Sequence, residues 1–165
     1  AADFAETQRK ITGKYYVDFL NIVEPIADDL FTGTYRVENI IEGPFTNTFL
    51  TREDMLVEVK MGHSKNVRFI EAYYIISHIP FEEEKLFEIT IACDEIVFAN
   101  NQFTSREGSC TFQDPPILLG SDVVNGTGNP SDDTVFEVQL QEGYLGFDGG
   151  CGFNAHVSRL RFSKQ

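Results

Sequence analysis

The stretch Phe87-Glu88-Ile89-Thr90-Ile91-Ala92-Cys93-Asp94-Glu95-Ile96-Val97-Phe98 constrains the fold more than any other part of the chain. Phe87, Ile89 and Ile91 alternate with Glu88, Thr90 and Ala92, which is the period-two pattern of a strand with one buried face. Asp94 and Glu95 interrupt the run and Ile96 and Phe98 resume it, so the stretch is predicted to be a β-hairpin. The same spacing recurs from Phe136 to Phe147, and from Val57 to Phe69 with one more residue in the turn. Each first strand reads apolar, Glu, apolar, any, apolar, and each second strand returns with an apolar residue two before a Phe. Three such hairpins predict an all-β fold whose inward Phe side chains fill a core between two sheets.

The rest of the chain supplies further short strands. Lys14 to Phe19, Thr34 to Ile41 with Tyr35 and Val37 on one face, Val67 to Ser77, and Cys110 to Phe112 all read as strands, and His156 to Phe162 closes the chain. Pro25 within Leu20 to Phe31 limits that segment to a short helix or an irregular loop. Pro115 to Asp133 is predicted to be the longest loop region, interrupted by Ile117-Leu118-Leu119. With turns at this spacing, the expected fold is a jelly-roll-like antiparallel β-sandwich of about ten strands. At 165 residues the expected organisation is a single domain, 1–165, with 1–12 as a short helix or flexible arm.

The formal net charge of -13 excludes a surface that tracks phosphates, because that binding draws on clustered Lys and Arg; no nucleic-acid partner is expected. No apolar run is long enough to span a bilayer, and no membrane insertion is expected. The carboxylates at Asp28-Asp29, Glu82-Glu83-Glu84, Asp94-Glu95 and Asp132-Asp133 read as a solubilising surface, without an Asp-x-Asp-x-Asp-Gly loop to hold calcium, so no metal site is assigned.

The opening Ala1-Ala2-Asp3, without Met, is what removal of a signal segment leaves, and Asn125-Gly126-Thr127 is a glycosylation sequon in a Gly-, Ser- and Asn-rich stretch. Both point to a secreted protein. Cys93 continues the inward parity of Phe87, Ile89 and Ile91 and is expected as a buried free thiol, which leaves Cys110 and Cys151 as the disulfide pair.

No catalytic residue is assigned. His63, His78 and His156 lie in or beside predicted turns, outside any nucleophile or zinc spacing. The run Gly146-Phe147-Asp148-Gly149-Gly150-Cys151-Gly152-Phe153 resembles the glycine turn with which Rossmann-like methyltransferases hold S-adenosylmethionine. The tail after Gly152 has no room for the remaining strand and helix units, so a Gly-rich turn or bulge is the better reading and no cofactor is assigned. In the Val57 to Phe69 hairpin, parity places Asn66 and Arg68 outward beside His63, where amide and guanidinium groups suit sugar hydroxyls or a carboxylate. Pairing of Arg68 with Glu58 across the hairpin is the competing reading. Tyr144, exposed by parity, is a stacking platform, and Asn101 and Arg106 complete the ligand-binding candidates.

On Val57 to Phe69, Phe87 to Arg106 and Phe136 to Gly150, with Glu142-Gly143-Tyr144-Leu145-Gly146-Phe147-Asp148-Gly149-Gly150 near its end, the chain resembles the farnesoic acid O-methyltransferase-type domain, over roughly residues 50–162. That resemblance implies a β-sandwich. Pro80-Phe81 followed by Phe87 and Phe98, with His63 and Asn66-Val67-Arg68-Phe69, is similar to galectins, which implies sugar recognition; the Trp on which galectins stack galactose is absent. Gly13-Lys14-Tyr15-Tyr16 is similar to the first Gly-x-Trp strand of lipocalins, with Tyr in place of Trp.

Together these readings predict a secreted, non-enzymatic recognition module that binds a glycan or an extracellular protein through loops at one end of the sandwich. The alternatives are a self-associating structural protein of an extracellular layer and a carrier of a small apolar ligand.

Overall fold

The computed structural model describes residues 25–41, 56–73, 75–76, 79–80, 84–104 and 116–165. Their strands, in chain order, are β1 (Gly33–Ile41), β2 (Leu56–Met61), β3 (Val67–Ala72), β4 (Ile75–Ile76), β5 (Ile79–Pro80), β6 (Lys85–Ala92), β7 (Glu95–Phe98), β8 (Gln102–Phe103), β9 (Leu118–Ser121), β10 (Gly126–Thr127), β11 (Val135–Glu142) and β12 (His156–Lys164). β4 and β5 pair with each other, and the other ten form one sheet.

That sheet closes on itself, so the expected sandwich is corrected to an eight-stranded antiparallel β-barrel. Going round the wall, β1 pairs with β2, β2 with β3, β3 with β6 and β6 with β7, all antiparallel. β7 and its continuation β8 form one stave. β9 and β10 form the next, β9 lying beside β8 and β11, and β10 beside β7. β11 then pairs with β12, and β12 returns to β1 with Tyr35 opposite Lys164 and Val37 opposite Phe162. The wall thus follows chain order, as a meander. Between β9 and β10 the chain leaves the wall at Asp122–Asn125, and there β7 touches β11 directly through Gln139 opposite Val97.

Period-two alternation fills the lumen. Tyr35 and Val37 of β1, Val57 and Val59 of β2, Ile70 and Ala72 of β3 and Phe87, Ile89 and Ile91 of β6 are all buried. Ile96 and Phe98, Phe136, Val138 and Leu140, and Leu160 and Phe162 add to the interior from β7, β11 and β12. Phe136 and Phe162 stack with centroids 4.7 Å apart, and Tyr35 meets Phe136 edge-on at 5.1 Å. A barrel of eight strands has an interior just wide enough for such side chains. Each buried aromatic or branched side chain contributes roughly 1.5–3 kcal/mol.

Two of the three predicted hairpins form, β2–β3 and β6–β7. The third does not. β11 ends at Glu142, where Gly143 (φ 68°) turns the chain into a short 3-10 turn, Tyr144–Gly146, and the strand that returns beside β11 is β12. The extended reading of Val67 to Ser77 divides at Tyr73, and Ile117-Leu118-Leu119, read as an interruption of a loop, is fully or nearly fully buried and leads into β9, whose first half it supplies. Cys93 is exposed because it occupies the turn between β6 and β7, at φ 59°, so the expected burial of its thiol is corrected. Residues 1–12, Lys14 to Phe19 and Cys110 to Phe112 lie outside the described residues.

The foot of the barrel is closed by a strap, residues 25–32, that inserts Ile26 and Phe31 into the core. The other end carries the β8 to β9 and β11 to β12 connections.

Candidate functional site

At the foot, the turn Gly62–Asn66 joins β2 to β3, closed by Gly62 N–H donating to Val67 O at 3.0 Å and by Val67 N–H donating to Ser64 O at 3.1 Å. A Cβ at Gly62 would lie 2.5 Å from Val67 Cγ1, so the turn needs glycine there. From this turn β3 sends Arg68 inward, opposite to the expected outward parity, and Arg68 is fully buried. The additional turn residue shifts the phase of β3, so Arg68, Ile70 and Ala72 face the lumen and Phe69 and Glu71 do not. The Arg68 guanidinium donates to Leu30 O at 2.9 Å, Lys65 O at 2.7 Å, Val67 O at 2.8 Å and Ala27 O at 3.1 Å. Burial draws its pKa below the usual guanidinium value, with Asp28 and Asp133 acting against that. It is therefore a clasp on the strap. Glu58 receives the Thr34 hydroxyl at 3.0 Å and lies opposite Glu71, away from Arg68.

Asp133 completes the closure. Its Oδ2 accepts Phe31 N–H at 2.7 Å, the Tyr35 hydroxyl at 2.8 Å and the Lys164 ammonium. Burial pushes the Asp133 carboxyl up, but hydrogen bonds from Lys164, Tyr35 and the Phe31 amide outweigh it and hold the group below the usual carboxylate range. Burial and Asp133 in turn push the Tyr35 hydroxyl well above its usual value.

The other foot candidates sit outside this clasp. His63 is largely exposed, its Nδ1 3.8 Å from Glu88 Oε2. Asn66 is half-buried and serves the wall, its Nδ2 donating to Ile91 O at 3.0 Å while its own carbonyl accepts Ile91 N–H at 2.8 Å. Beside the strap an open cleft of about 610 Å³ is lined by Pro25, Ile26, Leu30, Pro130, Cys93 and Asp94, among others.

Asn101 and Tyr144 lie towards the opposite end. Asn101 is exposed at φ 62° in the turn between β7 and β8, and its neighbour Asn100 accepts both the amide and the hydroxyl of Ser121. Tyr144 is half-buried, its ring lying on the bare backbone of Gly120, where a Cβ would come within 2.5 Å of Cγ. It packs on the wall rather than standing free as a platform. Arg106 and His78 lie outside the described residues. The structure therefore does not bring the six candidates together: His63, Asn66 and Arg68 belong to one end, Asn101 and Tyr144 to the other.

What the sequence reading missed at this second end is apolar. Phe103, Leu145, Phe147 and Phe153 are 45%, 67%, 41% and 47% exposed. Leu118 ties two of them together, pairing with Phe103 across β8–β9 and donating its N–H to Phe147 O at 2.9 Å. Asp148 orders the loop, its Oδ1 accepting Gly150 N–H at 3.1 Å and its Oδ2 accepting Phe153 N–H at 2.6 Å. The signal available in the sequence was the density of glycines after Glu142, which forbids extending the alternation to Phe147.

Two other features bear on the earlier expectations. Asn125, the sequon residue, closes the Asp122–Asn125 excursion, and its Nδ2 donates to Glu95 Oε2 at 3.0 Å; Val123 at the tip is 96% exposed. Cys151 is half-buried against the core, while Cys110 lies outside the described residues. Among the described residues no three His, Cys, Asp or Glu side chains converge to hold a metal, and no helix is long and apolar enough to cross a membrane.

Fold and ends together define a closed meander barrel with a filled lumen and two unlike ends. No protein-family model, no curated protein and no solved structure matches the chain.

Proposed function

We propose that the protein is a secreted, non-enzymatic recognition module that binds another extracellular protein through the loops at the Phe103–Phe147–Phe153 end of the barrel. The observation that carries this reading is the exposure of Phe103, Leu145, Phe147 and Phe153 around Leu118 and the Asp148-ordered loop. Apolar side chains gathered on one face of a soluble fold are energetically useful when a partner covers them, and aromatic anchors dominate such interfaces. A protein surface is favoured over a glycan because the polar candidates are divided between the two ends. It is favoured over a carried apolar ligand because Tyr35, Phe87, Phe98, Phe136 and Phe162 occupy the described interior. The Cys110–Cys151 bridge and glycosylation at Asn125 belong to the same proposal. Cys93 is exposed and outside any disulfide, which leaves the other two cysteines to pair, and the sequon lies on an excursion from the wall.

The test replaces Phe103, Phe147 and Phe153 together by Ser and compares capture of partners from the native extracellular fluid, with a glycan array run in parallel. The expected result is a partner held by the unaltered chain and lost by about tenfold or more in the variant, with the thermal midpoint unchanged. Equal capture by both, or selective binding on the array, would sink the proposal.

A further inference from the structure

We infer that the foot of the barrel carries a second, independent binding site, a groove that takes an extended, basic peptide segment of a partner protein. The cleft beside the strap, about 610 Å³, continues into a neighbouring one of about 490 Å³, and the two share Asp94 and Pro130. The combined groove runs from the strap to the β10–β11 side of the wall. Its floor by the strap is apolar, made by Pro25, Ile26, Leu30 and Pro130. The charged side chains of its lining are carboxylates, Asp94 and Glu137, of which Glu137 is paired with Arg159 and Arg161 on the wall. Asp94 lines both halves, and Asp28, Asp29 and Asp132, sequence neighbours of lining residues, are all exposed. Among the described residues no lysine or arginine lines either half, and the nearby Arg68 is buried beneath the strap, satisfied by backbone carbonyls.

An apolar floor with carboxylates at its edge complements a chain in which apolar and cationic side chains alternate. In an extended strand successive side chains point to opposite sides, so alternate residues enter the floor while their neighbours reach the carboxylates. A compact metal ion fits less well, because among the described residues no three ligating side chains converge. The net charge of -13 draws a basic segment towards the groove. Arg68 and Asp133 hold the strap from beneath, so the floor is formed before anything binds and little ordering is lost on association.

The groove contains its own reporter, the exposed thiol of Cys93. The test measures alkylation of Cys93 by iodoacetamide, read by peptide mass mapping on the full chain, with and without a hexapeptide of alternating Leu and Arg. The control is the peptide with Glu in place of Arg. The expected result is saturable protection by the basic peptide alone, weakened by added salt as screening shortens the reach of Asp94. Asp94→Asn should weaken it about two- to fivefold, the range for one exposed charge pair. Ser131→Trp, which fills the groove without touching the core, should abolish it. The variant lacking Phe103, Phe147 and Phe153 should retain it, which separates this site from the proposed partner face. Absence of protection, equal protection by the acidic peptide, persistence in both groove variants, or loss in the Phe variant would each overturn the inference.

Discussion

Replacing Arg68 by Met keeps much of the apolar stem inside the barrel and removes the guanidinium that clasps the strap. Four carbonyls lose a donor, but not equally. Val67 O keeps the Gly62 amide and Ala27 O keeps the Leu30 amide, at 3.0 and 3.1 Å. Lys65 lies in an exposed turn, where water substitutes. The burden falls on Leu30 O, on the half-buried face of the strap. An unsatisfied buried carbonyl costs about 1–3 kcal/mol, and the loss of a charge-assisted hydrogen bond adds a comparable amount. Relief of the desolvation of a buried cation offsets part of this. The expected net loss is about 2–4 kcal/mol. For a chain of this size that lowers Tm by roughly 5–15 °C. Urea unfolding and calorimetry measure the total, and hydrogen exchange locates it: protection at Leu30 and Phe31 should fall further than at Ile89 in the middle of the wall. A change within about 0.5 kcal/mol, the range of an ordinary surface substitution, would refute the clasp.

The pH dependence follows from Asp133. Its folded pKa is depressed, so its contribution is complete above the ordinary Asp value of about 3.9 and is lost as pH falls through the lower folded value; Asp133→Asn should flatten that acid limb of stability, read from urea midpoints across acidic pH. Gly126→Ala places a Cβ 2.0 Å from Glu137 O, where backbone has to yield, so a loss of about 1–3 kcal/mol or more is expected in the same assay; a neutral result would mean that β10 and β11 are not held this close.

The wall was legible where local alternation decides it. Phe87 to Phe98 and Val57 to Met61 form the strands that their pattern predicts, as do Tyr35 and Val37 of β1. Closure was not legible, because pairing of β1 with β12 depends on residues at opposite ends of the described chain and leaves no local periodicity. A sandwich and a barrel ask for the same alternation. Arg68 was misplaced because phase was carried through a turn whose length changes it. Phe147 and Tyr144 were misplaced because the alternation was continued past Gly143, where the backbone turns out of the strand. The Asp133 cluster gathers strap, β1 and β12, and sequence spacing carries no trace of such a meeting.

Joining β12 to β1 also sets an order on how the chain acquires its structure. While the chain is being synthesised, β1 can pair with β2, and the hairpins that follow can form in turn, but one edge of β1 stays open until Lys164 has been made. Contacts between such distant positions are slow to find, and an unpaired strand edge is a template for other chains during the wait. The charged residues Arg36 and Glu38, on the outward face of β1, sit where they discourage that encounter. Among the described strands, the one made last is therefore the one that seals β1.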